Sequence, residues 1–182
     1  MTVPTIDEIP AKACAAAFGN ALVVNTVRGF VAEIIVGAAL GPEWQLCSGD
    51  WSGWDFEHVT GCRLEVKQSA ARQTWAAPKK PRPPKFDIAE RTGYWMGGAE
   101  WKKERGRFAH IYVFAYHPVR DDSADHRDAS QWLFYVIATN RLPARKEIGL
   151  LEIKALADVV RWDALQTVVG DMRKTLPPFN RT

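Results

Sequence analysis

The sequence predicts a mixed α/β domain, an α+β arrangement in which helices flank a central mixed β-sheet. Three observations predict it. Apolar residues alternate or run continuously over 54–69, 107–116 and 131–139, as strands require. Helical periodicity with terminators runs over 25–40 and again from 151 to 172. The 182-residue chain, 47% apolar and 25% charged, is also long enough to fill one full core. The expectation is a single domain over residues 1–182, carrying a basic, proline-rich insertion at about 72–107.

Residues 1–10 contain Pro4 and Pro10 and read as a loose lead-in. Lys12 to Val24 is alanine-rich and predicts a short helix that breaks near Gly19-Asn20. Asn25 is placed to cap a second helix that runs to Leu40 and ends at Gly41-Pro42. Val27, Val31, Ile34, Ile35 and Ala38 give that helix a broad apolar surface. Glu33 interrupts it, with Gly29 and Gly37 four residues to either side. Such an acid either lies where the helix closely approaches the sheet or faces solvent. Trp44 to Ser48 predicts a short strand, and Gly49 to Gly53 a turn-rich loop.

Trp54 to Ser69 predicts a β-hairpin with Thr60-Gly61 as its turn. Asp55 belongs to the first strand, Glu65 and Lys67 to the second. Side chains two apart in a strand share a face, so Glu65 and Lys67 emerge together, roughly 7 Å apart. Cys62, Leu64 and Val66 then point into a core, which leaves the charged pair on an exposed face free to do chemistry. Two carboxylates on adjacent strands can hold a hard cation such as Mg²⁺ (or Mn²⁺), with the carbonyl of Val66 as a further oxygen ligand. Lys67 would contact a water and a scissile phosphate, which is what phosphodiester hydrolysis needs beside a metal. Glu33, from the helix behind, could complete the metal's surroundings or hold a second ion. Crowded carboxylates repel, so without metal one of them should tend to hold a proton.

Beyond the hairpin, Arg72 to Arg107 holds ten Lys or Arg against four acids. Within it, Lys79-Lys80-Pro-Arg-Pro-Pro-Lys85 fits neither a helix interior nor a central strand and reads as an extended loop, either solvated or in contact with phosphates. A helix is expected elsewhere in the insertion. Arg107 to Tyr116 predicts a long strand, and Asp121 to Ser130 a charged loop. Asp125, His126 and Asp128 in that loop are metal-ligand types, but a solvated polar loop accounts for them more simply. Gln131 to Thr139 has the continuous apolar character of a central, buried strand. Helices follow from Leu151 and over Trp162 to Met172 until Pro177-Pro178.

Asp55, then Glu65-Val66-Lys67, preceded by a helix bearing Glu33, resembles the PD-(D/E)xK nuclease superfamily, whose core is the restriction-endonuclease-like fold. The motif covers residues 25–69; the later strands match only in order. The resemblance implies that Asp55 and Glu65 bind Mg²⁺, that Lys67 assists the attacking water and that Glu33 joins the metal site. It also implies polar contacts to metal or DNA from Gln68 and Ser69, and a homodimer. Trp54 stands where the motif has proline. Arg72, Gln73, Lys79, Lys80, Arg82 and Lys85 are the candidate nucleic-acid contacts, and Trp75 could stack on a base.

Competing features are weaker. Asp50 also precedes Glu65 at an acceptable distance but sits in a loop, and Glu57 reads as a surface acid. A second Glu-x-Lys, Glu152-Ile153-Lys154, falls in a helical pattern where residues two apart face different directions. Cys14, Cys47 and Cys62 are too far apart for metal spacing and read as reduced thiols. The N-terminal apolar stretch is broken by Arg28 and Glu33, so export and membrane spanning are not expected and a cytoplasmic location is. The net charge of +3 permits a polyanionic partner. The expected function is a metal-dependent nuclease with DNA as its substrate; the alternative is a catalytically inactive nucleic-acid-binding or assembly protein of the same fold.

Overall fold

The computed structural model describes residues 3–47, 52–75, 83–96 and 99–179. It is a mixed α/β structure built on a five-stranded sheet. The elements are α1 (Glu8–Phe18), α2 (Asn25–Leu40), β1 (Trp44–Leu46), β2 (Phe56–His58), β3 (Arg63–Ala70), β4 (Lys85–Asp87), β5 (Tyr94–Met96), β6 (Glu100–Lys102), β7 (Ile111–His117), β8 (Leu133–Ala138), β9 (Glu147–Gly149), α3 (Leu150–Leu156) and α4 (Leu165–Thr175). The main sheet has the order β1-β2-β3-β7-β8. The strands β1, β2 and β3 form an antiparallel meander, β3 and β7 run parallel, and β8 returns antiparallel. Two small two-stranded ribbons, β4-β9 and β5-β6, stand beside it.

Alternation along β3 sorts its side chains between two cores. Leu64 and Val66 face α2 and α4 together with Phe56, Val113, Ala115 and Val136. The other face carries Tyr112, Phe114, Tyr135 and Ile137, and the segments around β4, β9 and α3 cover it with Phe86, Ile88, Ile148 and Ile153. The face expected to be exposed is therefore partly covered: Glu65 is buried, and Lys67 and Ser69 are half-buried. The segment between β3 and β7 makes the crossover that parallel strands require; among its described residues it is strand and loop, not the expected helix.

Other expectations need adjustment. The first helix begins at Glu8, not Lys12, because a proline in the first turn, Pro10, lacks an N–H that the helix would leave unpaired anyway. Val24, not Asn25, is the N-cap of α2; the Asn25 side chain instead accepts from Arg28 (2.6 Å) and Gln68 (3.2 Å). The strand β8 lies at the sheet's edge, and its apolar character is explained by cover: Phe134 and Val160 exchange backbone hydrogen bonds at 2.9 and 2.8 Å along that edge. The loop over 121–130 is not simply solvated, since His126 is fully buried against Trp132 and His117. Glu152 and Lys154 do lie exposed on a helix, α3. No helix among the described residues is long and apolar enough to cross a membrane.

Of the two glycines that flank Glu33, only Gly37 marks a close approach. A Cβ there would sit 2.9 Å from the buried ring of Phe56, whereas at Gly29 it would meet nothing within 4 Å. Gly37→Ala is expected to destabilise by about 1–3 kcal/mol through overpacking. Gly29→Ala should stabilise by about 0.5–1 kcal/mol, the ordinary gain for helical glycine to alanine. Urea denaturation of the two variants checks the contrast; equal effects would remove Gly37 as the point where α2 meets the sheet.

Candidate active site

The strand β2 pairs with β3 only as far as Phe56↔Leu64, and Asp55 stands at the end of that ladder. Its backbone N–H donates to the carbonyl of Leu64 at 2.9 Å. Its Oδ2 accepts from the N–H of Val66 at 2.6 Å, so the carboxylate takes the place a further strand carbonyl would have had. This short bond fixes Asp55 beside Glu65. Burial raises the Asp55 carboxyl well above its ordinary range, and the charges of Glu65 and then Glu33 raise it further; the Val66 N–H and Lys67 oppose them. The three acids thus act on one point, although Glu33 arrives from α2.

Glu65 is 4% exposed. Lys67 Nζ donates to its Oε1, as the shared strand face requires. A second cation that sequence reasoning did not single out, Arg91, reaches the same oxygen from the crossover segment, with Nη2 at 3.3 Å. Tyr112 is directly across from Glu65 on β7, and its phenol is pushed up by burial and by the Glu65 charge. Trp54 is buried between the Arg63 guanidinium, 3.7 Å over its ring, and Tyr94, with ring centroids 5.4 Å apart. An aromatic residue at this position anchors Asp55's segment through packing.

The remaining candidates divide. Ser69 continues the face of Glu65 and Lys67 by alternation. Gln68 points the other way: its Oε1 accepts from Arg28 Nε at 2.8 Å, and Arg28 also donates to Val23 O at 3.3 Å. Gln68 is therefore bound to the start of α2 and not to the carboxylate site. Arg72 is paired with Asp122 at 2.6 Å, Gln73 donates to Ala70 O at 2.7 Å, and Lys85 is paired with Glu147 at 2.7 Å. The two ion pairs are worth little at the surface and can be exchanged for a phosphate. Lys79, Lys80 and Arg82 lie outside the described residues, as does Asp50. Trp75 is exposed.

Among the described residues no three His, Cys, Asp or Glu side chains form a group that could hold a metal ion. Asp55, Glu65 and the Val66 carbonyl are nevertheless a donor set suited to a hard cation that keeps several of its own waters. The test of fit is electrostatic: the site gathers acids around a carboxyl whose ionisation they oppose, and Lys67 and Arg91 are the cations that answer Glu65. Arg91 had no signal in sequence, since nothing in a basic run marks which member folds back onto an acid 26 residues earlier.

No protein-family model matches the chain, and comparison with curated proteins finds no similar sequence.

Proposed function

We propose that the chain is a metal-dependent nuclease that hydrolyses phosphodiester bonds, with DNA as its substrate class and Mg²⁺ or Mn²⁺ as its cofactor. One observation carries this reading: Asp55 and Glu65 are neighbours across two strands, Glu33 is within electrostatic range, and Lys67 is on the face of Glu65. A divalent cation bound there would neutralise the phosphate and lower the pKa of a water. Asp55, oriented by the Val66 N–H, and Glu65 would hold the cation through their carboxylates, with the Val66 carbonyl as a further oxygen donor. Lys67 supplies ammonium donors to the attacking water and the phosphate. Trp54, Tyr94 and Tyr112 exclude bulk solvent around the pair, which strengthens its field. The resemblance to PD-(D/E)xK nucleases agrees with these roles but rests on the residues of the motif alone.

A second reading has one observation in its favour. Lys67 and Arg91 together already neutralise Glu65, as in a structural ion-pair cluster, and a non-catalytic nucleic-acid-binding or assembly protein would need no more. Cleavage separates the two. Supercoiled, linear, single-stranded and branched DNA, and RNA, are each incubated with the protein and Mg²⁺ or Mn²⁺. Cutting that stops on chelation and is lost in Glu65→Ala supports the nuclease. No cutting of any substrate, or cutting that Glu65→Ala leaves intact, leaves the non-catalytic reading.

A further inference from the structure

Beside the carboxylate site, the ribbon β5-β6 carries large aromatic surface in the open. Trp95 and Trp101 are cross-strand partners, 39% and 42% exposed, with ring centroids 5.6 Å apart in an edge-to-face arrangement. Alternation explains the split: Tyr94 turns inward onto Trp54 and Phe108 while Trp95 turns outward. Gly93 is needed beneath Trp101, because a Cβ there would collide with the indole and sit 2.7 Å from the Lys102 carbonyl oxygen. The ring is thus seated on the backbone with its outer side open.

The arm is continuous with the site. At its root Arg91 and Gly106 exchange backbone hydrogen bonds at 2.8 and 3.1 Å, and the Arg91 guanidinium contacts Glu65. Trp95 also forms a bridge with Ser52, three residues before Asp55. Between residues 91 and 106 the charged side chains are Arg91, Lys102, Lys103 and Arg105 against Glu100 and Glu104. Lys102 pairs with Glu100 at 2.6 Å and Arg105 with Glu90 at 2.8 Å, surface contacts that a phosphate can displace at small cost.

Flat aromatic faces next to exchangeable cations match a ligand with open base faces and a polyanionic backbone. A duplex hides its base faces in the stack, so it gains nothing from indoles. We infer that the β5-β6 arm is a base-stacking platform, with Trp95 and Trp101 holding unpaired bases of a nucleic acid and leading its backbone past Arg91 towards Asp55 and Glu65. The inference rests on the nuclease reading for its purpose and makes that reading more specific: the substrate is single-stranded, or presents unpaired bases near the cut.

The test measures binding apart from turnover. Fluorescence anisotropy of a labelled oligothymidylate of about 20 nucleotides, long enough for one site, is recorded in chelator and compared with a blunt duplex of equal length. Trp95→Ala/Trp101→Ala should weaken single-strand binding about tenfold or more, as loss of base stacking does, and change duplex binding less than about twofold. Trp95→Phe/Trp101→Phe, which keeps the rings, should restore most of the affinity, and it controls for any disturbance of the ribbon. Unchanged single-strand affinity in the alanine variant overturns the inference. So does equal loss on duplex and single strand, or loss only of self-association. If the wild type cuts but the alanine variant binds and cuts normally, the arm fails and the nuclease stands. If single strands bind through the tryptophans and nothing is ever cut, the arm stands and the nuclease fails.

Discussion

Lys67→Ala is expected to lower metal-dependent cleavage by about 10²–10³-fold or more, the loss typical when a charge-stabilising donor is removed from a buried site. Among the described residues Lys67 is the ammonium that reaches Glu65, and the strand leaves it no alternative direction. Arg91 cannot replace it, because its guanidinium comes from another segment and is half exposed. Removing Lys67 also leaves Glu65 with Arg91 as its remaining cation, so a loss of about 1–3 kcal/mol in stability should accompany the loss of activity. Lys67→Met, which retains the stem without the charge, controls for lost packing: its activity should fall as far as alanine's while its packing is better kept. Rates measured at saturating substrate, with circular dichroism as a folding check, read the result. Wild-type cleavage in either variant would remove Lys67 from the chemistry.

The second large effect is acid destabilisation through His126. This ring is fully buried, its Nδ1 accepts from Val23 N–H at 3.0 Å, and its Nε2 is 3.2 Å from Arg72 O. One nitrogen must accept and the other donate, so the neutral ring with its proton on Nε2 satisfies both. Burial, then the charges of Arg28 and His117, lower its pKa from 6.5 to about 4; the Arg72 carbonyl and nearby Asp125 do not reverse this. The sign follows from linkage. Below pH 6.5 the unfolded chain takes up a proton that the folded one refuses, so stability falls as pH drops from 6.5 towards 4. His126 alone should cost roughly 2–3 kcal/mol between pH 7 and pH 4.5. Buried His117, also lowered chiefly by burial, acts in the same direction, whereas Asp55, whose pKa is raised, gains stability on acidification and partly offsets them. His126→Gln should be less stable at neutral pH, having lost the ring packed on His117 and Trp132 and the acceptor at the Nδ1 position, but its stability should depend less on pH. Urea denaturation at pH 7.5 and 4.5 checks this; an unchanged slope would exclude His126 as the source.

The hairpin was readable because its evidence is local. Two-residue alternation correctly separates Glu65 and Lys67 from Leu64 and Val66, and the interval back to Asp55 matches one tight turn. What covers each face is not local. Alternation says that β3 has two sides, and it cannot say that Phe86, Ile88 and Ile148 close over the charged one. Gln68 shows the same limit: strand geometry puts it opposite Lys67, where Arg28, forty residues earlier, holds it. A loop rich in Asp and His looks solvated until a backbone N–H 103 residues away supplies the partner that buries His126. β8 looked central because cover by Val160 gives an edge strand the composition of an inner one.

Thermal unfolding with and without Mn²⁺, for the wild type and Asp55→Asn in parallel, tests the central claim that these carboxylates form a cation site. The asparagine keeps an acceptor for the Val66 N–H and removes a charge that burial, Glu65 and Glu33 all oppose. In chelator the variant should therefore melt higher than the wild type at neutral pH. Mn²⁺ at about 100 times its Kd should stabilise the wild type by about 2.7 kcal/mol, a rise of roughly 5–10 °C for a chain of this size, and leave Asp55→Asn unmoved. An equal shift in both proteins, or none in the wild type, would contradict the account.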